Sequence, residues 1–294
     1  MRVFVTGASG HIGSAVVSEL VGAGHEVVGS ARSGAAEKKI RELGALAWRG
    51  SLDDFGRLSG AAADADAVIH LAFDNDLMMA GDFAGAVSND RARVQALGQA
   101  LAGTGKALLG IGMQRTGDPK ADATIAANPR NEVTQLIADL ARQDIRTATF
   151  AIPPVTHSEA DRAGFVPLLI GIARRTGVSG YPGEGENTWP AAHTRDVATL
   201  YRLALEKEVP AGTQLYAATE AGVRLRDIAE VIGRQLGLPV RSIPSEQVAE
   251  HFAGFPFVGI DFTMPNGATR ELLGWNPAHP GLLADLEQGH YFGH

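Results

Sequence analysis

The chain has 294 residues, 45% hydrophobic and 20% charged, and no low-complexity tract. Its net charge of −7 leaves no basic footprint for nucleic acid and no polybasic patch for a membrane surface. The absence of cysteine excludes disulfides, thiol nucleophiles and thiolate metal sites, and no metal is expected.

The length suits one large domain, or one large and one small. A strand-like run from residue 2 leaves no room for a secretory leader, and no apolar run approaches the ~20 residues of a membrane span. These features together predict a cytoplasmic protein.

In chain order, strand-like runs are "RVFVT" (2–6), "EVVGS" (26–30), "ALAWRG" (45–50), "AVIHLAF" (67–73), "KALLGIG" (106–112) and "RTATFAI" (146–152). Several are continuously apolar, as in parallel strands covered on both faces. Between them lie helical patterns, the first with Ile12, Val16, Val17 and Leu20 in one stripe. The segments 93–103 and 132–143 read the same way. Strand–helix alternation predicts an α/β fold of Rossmann type, a doubly wound parallel sheet with right-handed crossovers. After "AIPPV" (151–155) the pattern changes. Segments 165–177, 194–207, 225–239 and 268–275 read as helices, and "YPGEGENTWP" (181–190) as a loop or short hairpin. The expected division is a dinucleotide-binding domain over 1–155, with 190–218 returning to it. A smaller α/β substrate lobe then spans 156–189 and 219–294.

The stretch "VTGASGHIG" places Gly7, Gly10 and Gly13 between a strand and an amphipathic helix. Glycines there let the backbone turn tightly and approach a pyrophosphate, whose charge the helix N-terminus favours. An NAD site puts an acid at the end of the second strand. Here that end reads "GSARS", with Arg32 near the acid's place and Ser33 beside it. A guanidinium suits a 2′-phosphate, so the predicted cofactor is NADP(H).

"TGASGHIG", "VIHLAF" and "RDVA" together resemble the extended and atypical short-chain dehydrogenase/reductases, the NAD-dependent epimerase/dehydratase-like group. The resemblance implies that Gly7, Ser9, Gly10, His11, Ile12 and Gly13 cradle the pyrophosphate. It puts Ser51 and Leu52 beside adenine, with Leu71, Ala72 and Phe73 along the adenosine-to-nicotinamide stretch. Pro153 and Val155 would flank the nicotinamide. It also implies a capacity to form a homodimer through the helices flanking the central strands.

The family reduces or oxidises a carbonyl with Ser, Tyr and Lys. The matching positions here are Gly112, Asn128 and Glu132, and the family's Asn falls at Asp90. No tyrosine is followed by lysine at +4. An atypical subgroup of the family is similar in having Asp there and a degraded triad. Replacement candidates are Gln114 and Thr116, which follow the lost Ser, and His157 after the sixth strand, a residue type suited to general acid work. Met113, Trp189 and His193 are candidates for the substrate pocket. The leading reading is an NADPH-dependent oxidoreductase that reduces a small apolar carbonyl compound or activated double bond with a non-tyrosine proton donor. Loops rich in Phe and Met suit such a small-molecule substrate. The alternative is a catalytically inactive NADP(H)-binding sensor. A nucleotide-sugar epimerase is the weaker third, since that chemistry also uses Tyr and Lys.

Overall fold

The computed structural model of the protein describes residues 1–114, 123, 126–255 and 257–293. The candidate Thr116 lies outside them. Two compact units are present, one of Met1–Ile152, Val197–Ala217 and Ala268–Trp275, the other of Pro153–Asp196, Ala218–Gly267 and Asn276–His294.

The first unit is built on a parallel sheet. Its strands are β1 (Arg2–Thr6), β2 (Glu26–Ala31), β3 (Leu46–Arg49), β4 (Ala67–His70), β5 (Ala107–Gly112), β6 (Arg146–Ala151) and β10 (Thr213–Tyr216). The order β10-β6-β5-β4-β1-β2-β3 reverses direction at β1/β4, the point where open α/β sheets bind ligands. Val3, Phe4 and Val5 of β1 are wholly buried, as are Val68 and Ile69 of β4, which is why these runs read as continuously apolar. Helices α1 (His11–Gly22), α2 (Gly34–Glu42), α3 (Phe55–Ala63), α5 (Phe83–Leu101) and α6 (Arg130–Asp139) fill the crossovers, with the short α4 (Asn75–Met79) after β4. Leu58, Val68, Val94, Leu97, Leu108 and Ile137 belong to one core cluster.

The seventh strand, β10, was not read from the sequence. It is a four-residue edge strand paired parallel to β6 from Thr213↔Ala148 to Tyr216↔Ala151. Only Leu215 of the four is buried, so it lacks the apolar run that marks the inner strands.

The second unit holds β7 (Val155–His157), β8 (Ser179–Pro182), β9 (Thr188–His193), β11 (Glu220–Arg224) and β12 (Val240–Ile243). They form a sheet β11-β9-β7 and a separate pair β12-β8. Helices α7 (Phe165–Thr176), α9 (Leu225–Leu236) and α10 (Leu282–Glu287) bury Leu169, Ile170, Ile228, Ile232, Leu282 and Leu286 together. Both α7 and α9 end on left-handed glycines, Gly177 and Gly237. The stretch 181–190 is not a hairpin, because β8 and β9 enter different sheets. With β9 held in the second unit, the chain rejoins the first at Val197, within α8 (Thr194–Glu206), and does so again over 268–275. Among the described residues no helix is long and apolar enough to cross a membrane.

Candidate cofactor and reaction site

The glycine turn is fixed by contacts that leave no room for side chains. Gly7 has φ +67°, and a Cβ there would meet Ala72 N and Leu71 C at 2.8 Å. A Cβ on Gly13 would lie 2.0 Å from the Gly7 carbonyl oxygen. Gly10 is less constrained, at 3.2 Å from the same oxygen. Gly10 also heads α1, which has no side-chain cap and no acid in its first turn. Its first N–H groups and dipole are therefore suited to an anion. This backbone cradle fits a dinucleotide pyrophosphate.

Around the turn lies a cleft of about 370 Å³, wholly within the first unit. Gly7, Ser9, Gly10, Arg32, Ser33, Ser51, Leu52, Leu71, Ala72 and Phe73 line it. His11, Ile12 and Gly13 form the start of α1. Pro153 and Val155 belong to the second unit, where Val155 is buried in the core. At the end of β2 the Ser30 hydroxyl accepts from Gly7 N at 3.2 Å. Arg32 follows, largely exposed and 3.4 Å from Asp76, and Ser33 caps α2 by accepting from Ala36 N. Lys39 donates to the Ser9 carbonyl at 2.9 Å, bringing a cation to the glycine turn.

Two buried networks hold the cleft that sequence reading missed. In the first, the Thr6 hydroxyl oxygen accepts from Leu71 N and Ala72 N, both at 3.2 Å. Its proton therefore goes to His70 Nδ1 at 2.7 Å, leaving Nε2–H to donate to Asp90 at 2.9 Å. Asp90, standing where the family has Asn, thus anchors the histidine that ties β1 to β4. In the second, buried Arg93 of α5 donates to Asp53 at 2.7 and 2.9 Å and reaches Asp74 at 3.0 Å. Burial pushes the Asp74 carboxyl up, but hydrogen bonds from Arg93 and Asn89 outweigh it and hold the group below its ordinary value. A charged residue on the buried face of a helix was the available signal.

The positions that the resemblance assigns to the family's triad have other occupations. A Cβ on Gly112 would meet Thr149 Cβ at 2.7 Å and Thr134 Cγ2 at 3.1 Å, so the strand is packed against the place where a serine would project. Asn128 Oδ1 accepts from Arg130 N at 3.0 Å and supports the start of α6. Glu132 is exposed. Met113 and Gln114 follow β5, both half-buried, and Met113 is pinned from both sides. Its N–H donates to Thr134 Oγ1 at 2.9 Å and its carbonyl accepts from Gln214 at 2.7 Å.

In the second unit the candidates are interior. His157 is fully enclosed, with Nδ1 2.9 Å from Asp285. The sequence suggested a cleft-facing acid; the structure instead makes it part of a buried histidine stack. His193 lies edge-on to His157 at 5.4 Å and parallel to His279 at 4.8 Å, and its Nδ1 accepts from Arg195 N. Burial, then the neighbouring His157, lowers the His193 pKa to about 4. Trp189 is a core residue rather than a pocket wall, its Nε1 donating to the Ile260 carbonyl. Among the described residues no group of three or more His, Asp or Glu is arranged for a metal.

Residues 3–82 match the NAD dependent epimerase/dehydratase family. An uncharacterized protein of Schizosaccharomyces pombe is 38% identical over 301 residues, covering 99% of this chain and 100% of that protein. Among solved structures, UDP-glucose 4-epimerase from Thermotoga maritima with UDP-glucose superposes with TM-score 0.75 at 18% identity, covering 99% of this chain and 98% of the other. The dTDP-glucose 4,6-dehydratase DesIV of Streptomyces venezuelae, with NAD and TYD bound, gives 0.74 at 18% identity, covering 99% and 96%. Their similarity lies in the fold, while the glycine cradle and the match over 3–82 place the ancestry. The chain belongs to the NAD dependent epimerase/dehydratase family.

Proposed function

We propose that the protein is a cytoplasmic NADP(H)-dependent oxidoreductase that reduces a small apolar carbonyl compound or activated double bond. The observation that carries the cofactor choice is the end of β2, where Arg32 and Ser33 line the cleft in place of an acid. A 2′-phosphate there would gain charge-assisted hydrogen bonds, whereas the adenine ribose of NAD would lose its usual carboxylate acceptor. The solved dehydratase neighbour carries NAD, so this departure rests on the chain's own residues. Gly7, Ser9 and Gly10 would hold the pyrophosphate and Leu71 to Phe73 the stretch toward the nicotinamide. The dihydronicotinamide, when bound, supplies a hydride.

The proton donor is not the family's tyrosine. Asn128 and Gly112 offer no acid, and His157 is enclosed. Gln114, and Thr116 beyond the described residues, are left as polar groups after β5 for orienting a carbonyl oxygen. Water then delivers the proton.

The test is calorimetric titration with NADP⁺ and NAD⁺, then NADPH oxidation with a panel of ketones, aldehydes, quinones and enones. NADP⁺ is expected to bind at least tenfold more tightly, and Arg32→Ala to remove that preference. Equal affinities would refute the cofactor assignment. Tight NADP(H) binding with no turnover on any of the panel would favour a redox sensor, the reading that the occupied triad positions otherwise support.

A further inference from the structure

One cation at the edge of the cleft has no hydrogen-bond or ion-pair partner among the described residues. Arg130 is the first residue of α6, and its guanidinium lies over the Phe73 ring at 4.2 Å from the centroid. Phe73 lines the cofactor cleft. The same turn of α6 is tied to the end of β5, since Thr134 Oγ1 meets the Arg130 carbonyl at 3.4 Å and accepts from Met113 N. Arg130 therefore stands at the carboxyl ends of β4 and β5, between the positions of the family's Tyr and Lys.

Among the described residues the guanidinium makes no hydrogen bond or ion pair. Asp90, a carboxylate whose charge acts on it, is engaged by His70 Nε2–H. Burial pushes the Arg130 pKa down, and the charge of Asp90 offsets this only in part. Tyr201 is itself fully buried on α8, stacked on Phe150 at 3.8 Å, and its hydroxyl has no partner among the described residues. Both donors thus lack an acceptor among the described residues. Buried charges are ordinarily paired, and a half-buried arginine facing only an aromatic ring and a committed carboxylate is poorly compensated in the free protein. A perturbed cation beside a ligand cleft marks a functional candidate.

Resting on the reductase reading above, we propose that Arg130 is a catalytic residue that holds the substrate oxygen on which negative charge develops. The carbonyl carbon gains a hydride from the reduced nicotinamide, which is oxidised by two electrons. The C=O π pair moves onto oxygen, the guanidinium holds that oxyanion, and a proton from water completes the alcohol. Electrostatic support from Arg130 replaces proton donation by tyrosine, and no group with a tuned proton affinity is needed.

Arg130→Met and Arg130→Lys test this. Kinetics at saturating NADPH with a neutral carbonyl substrate are expected to show kcat falling at least 100-fold in Arg130→Met, with KM changed less than threefold. Arg130→Lys should recover to within tenfold of wild type. NADPH affinity, by nicotinamide fluorescence, should be unchanged. The thermal midpoint of Arg130→Met should be equal or higher, because an uncompensated charge is removed. A second readout needs no turnover: in the presence of NADP⁺, acetate as oxyanion mimic should raise the melting temperature of wild type but not of Arg130→Met. Arg130-dependent acetate binding without turnover of any substrate would sink the reductase reading while keeping the oxyanion site. Retained kcat in Arg130→Met, an equal loss of NADPH binding, or a fall in melting temperature of more than 5 °C would each overturn the proposal.

Discussion

The buried histidine stack makes the protein's stability depend on pH in a defined window. His193 is 3% exposed, and its Nδ1 accepts from Arg195 N, so the folded state holds it neutral. Its pKa is about 4 when folded, against about 6.5 when unfolded. As pH falls, the unfolded chain takes up a proton first, which favours unfolding. The contribution is therefore fully present above pH 6.5 and is lost as pH falls toward 4. The 2.5-unit gap corresponds to about 3 kcal/mol in full, and about 2 kcal/mol of it is gone at pH 5. Asp285 and Asp74, whose carboxyls lie below their ordinary value, contribute only below about pH 4, outside this window. The assay is urea unfolding at pH 8 and pH 5 for wild type and His193→Asn. Asparagine offers an oxygen near the Nδ1 position and does not titrate. Its looser packing affects both pH values alike, so the comparison is the difference between them. The loss on going from pH 8 to pH 5 should be about 2 kcal/mol smaller in the variant. An identical pH dependence in the two proteins would refute the reasoning.

Three further outcomes follow from close contacts and unmet donors. Gly112→Ser, the substitution that restores the family's serine, should destabilise by about 1–3 kcal/mol in thermal unfolding and add no activity, because its Cβ meets Thr149 and Thr134. Gly13→Ala should abolish dinucleotide binding in calorimetry through its 2.0 Å contact with the Gly7 oxygen, whereas Gly10→Ala should weaken it less than tenfold. Tyr201→Phe removes a buried hydroxyl with no partner among the described residues and should raise stability by about 1–2 kcal/mol, read by denaturant midpoint.

The inner strands were legible because burial on both faces leaves a contiguous apolar signature, and Phe4, Val68 and Leu108 are all wholly enclosed. The edge strand Thr213–Tyr216 was not, because pairing on one side demands no such run. The glycine cradle was legible for a related reason: Gly7 and Gly13 are imposed by backbone contact, which no other residue type satisfies. Arg93 and Arg130 were hidden because periodicity treats every arginine as solvent-facing. Their roles depend on what lies opposite, Asp53 and Asp74 in one case and the Phe73 ring in the other. His157 and His193 failed in the opposite sense. Loop positions suggested access, but His157 contacts Asp285, 128 residues further along, and His193 stacks on His279, 86 residues further along, so distant sequence encloses them.

The departures from the family's chemistry share a physical pattern. Where serine would stand, Gly112 permits Thr149 and Thr134 to close on the strand. Where tyrosine would stand, Asn128 supports the first turn of the helix that presents Arg130. Where the family has asparagine, Asp90 fixes His70 and through it Thr6, Leu71 and Ala72. Each position carries a packing or hydrogen-bonding task that the family's side chain would disrupt. Single reversions are therefore expected to lower stability without restoring the old mechanism, since contacting residues are energetically coupled. The cradle at Gly7 to Gly13 carries none of these changes. Under the proposed reading, Arg130 handles the substrate oxygen while the cradle at Gly7 to Gly13 holds the hydride donor.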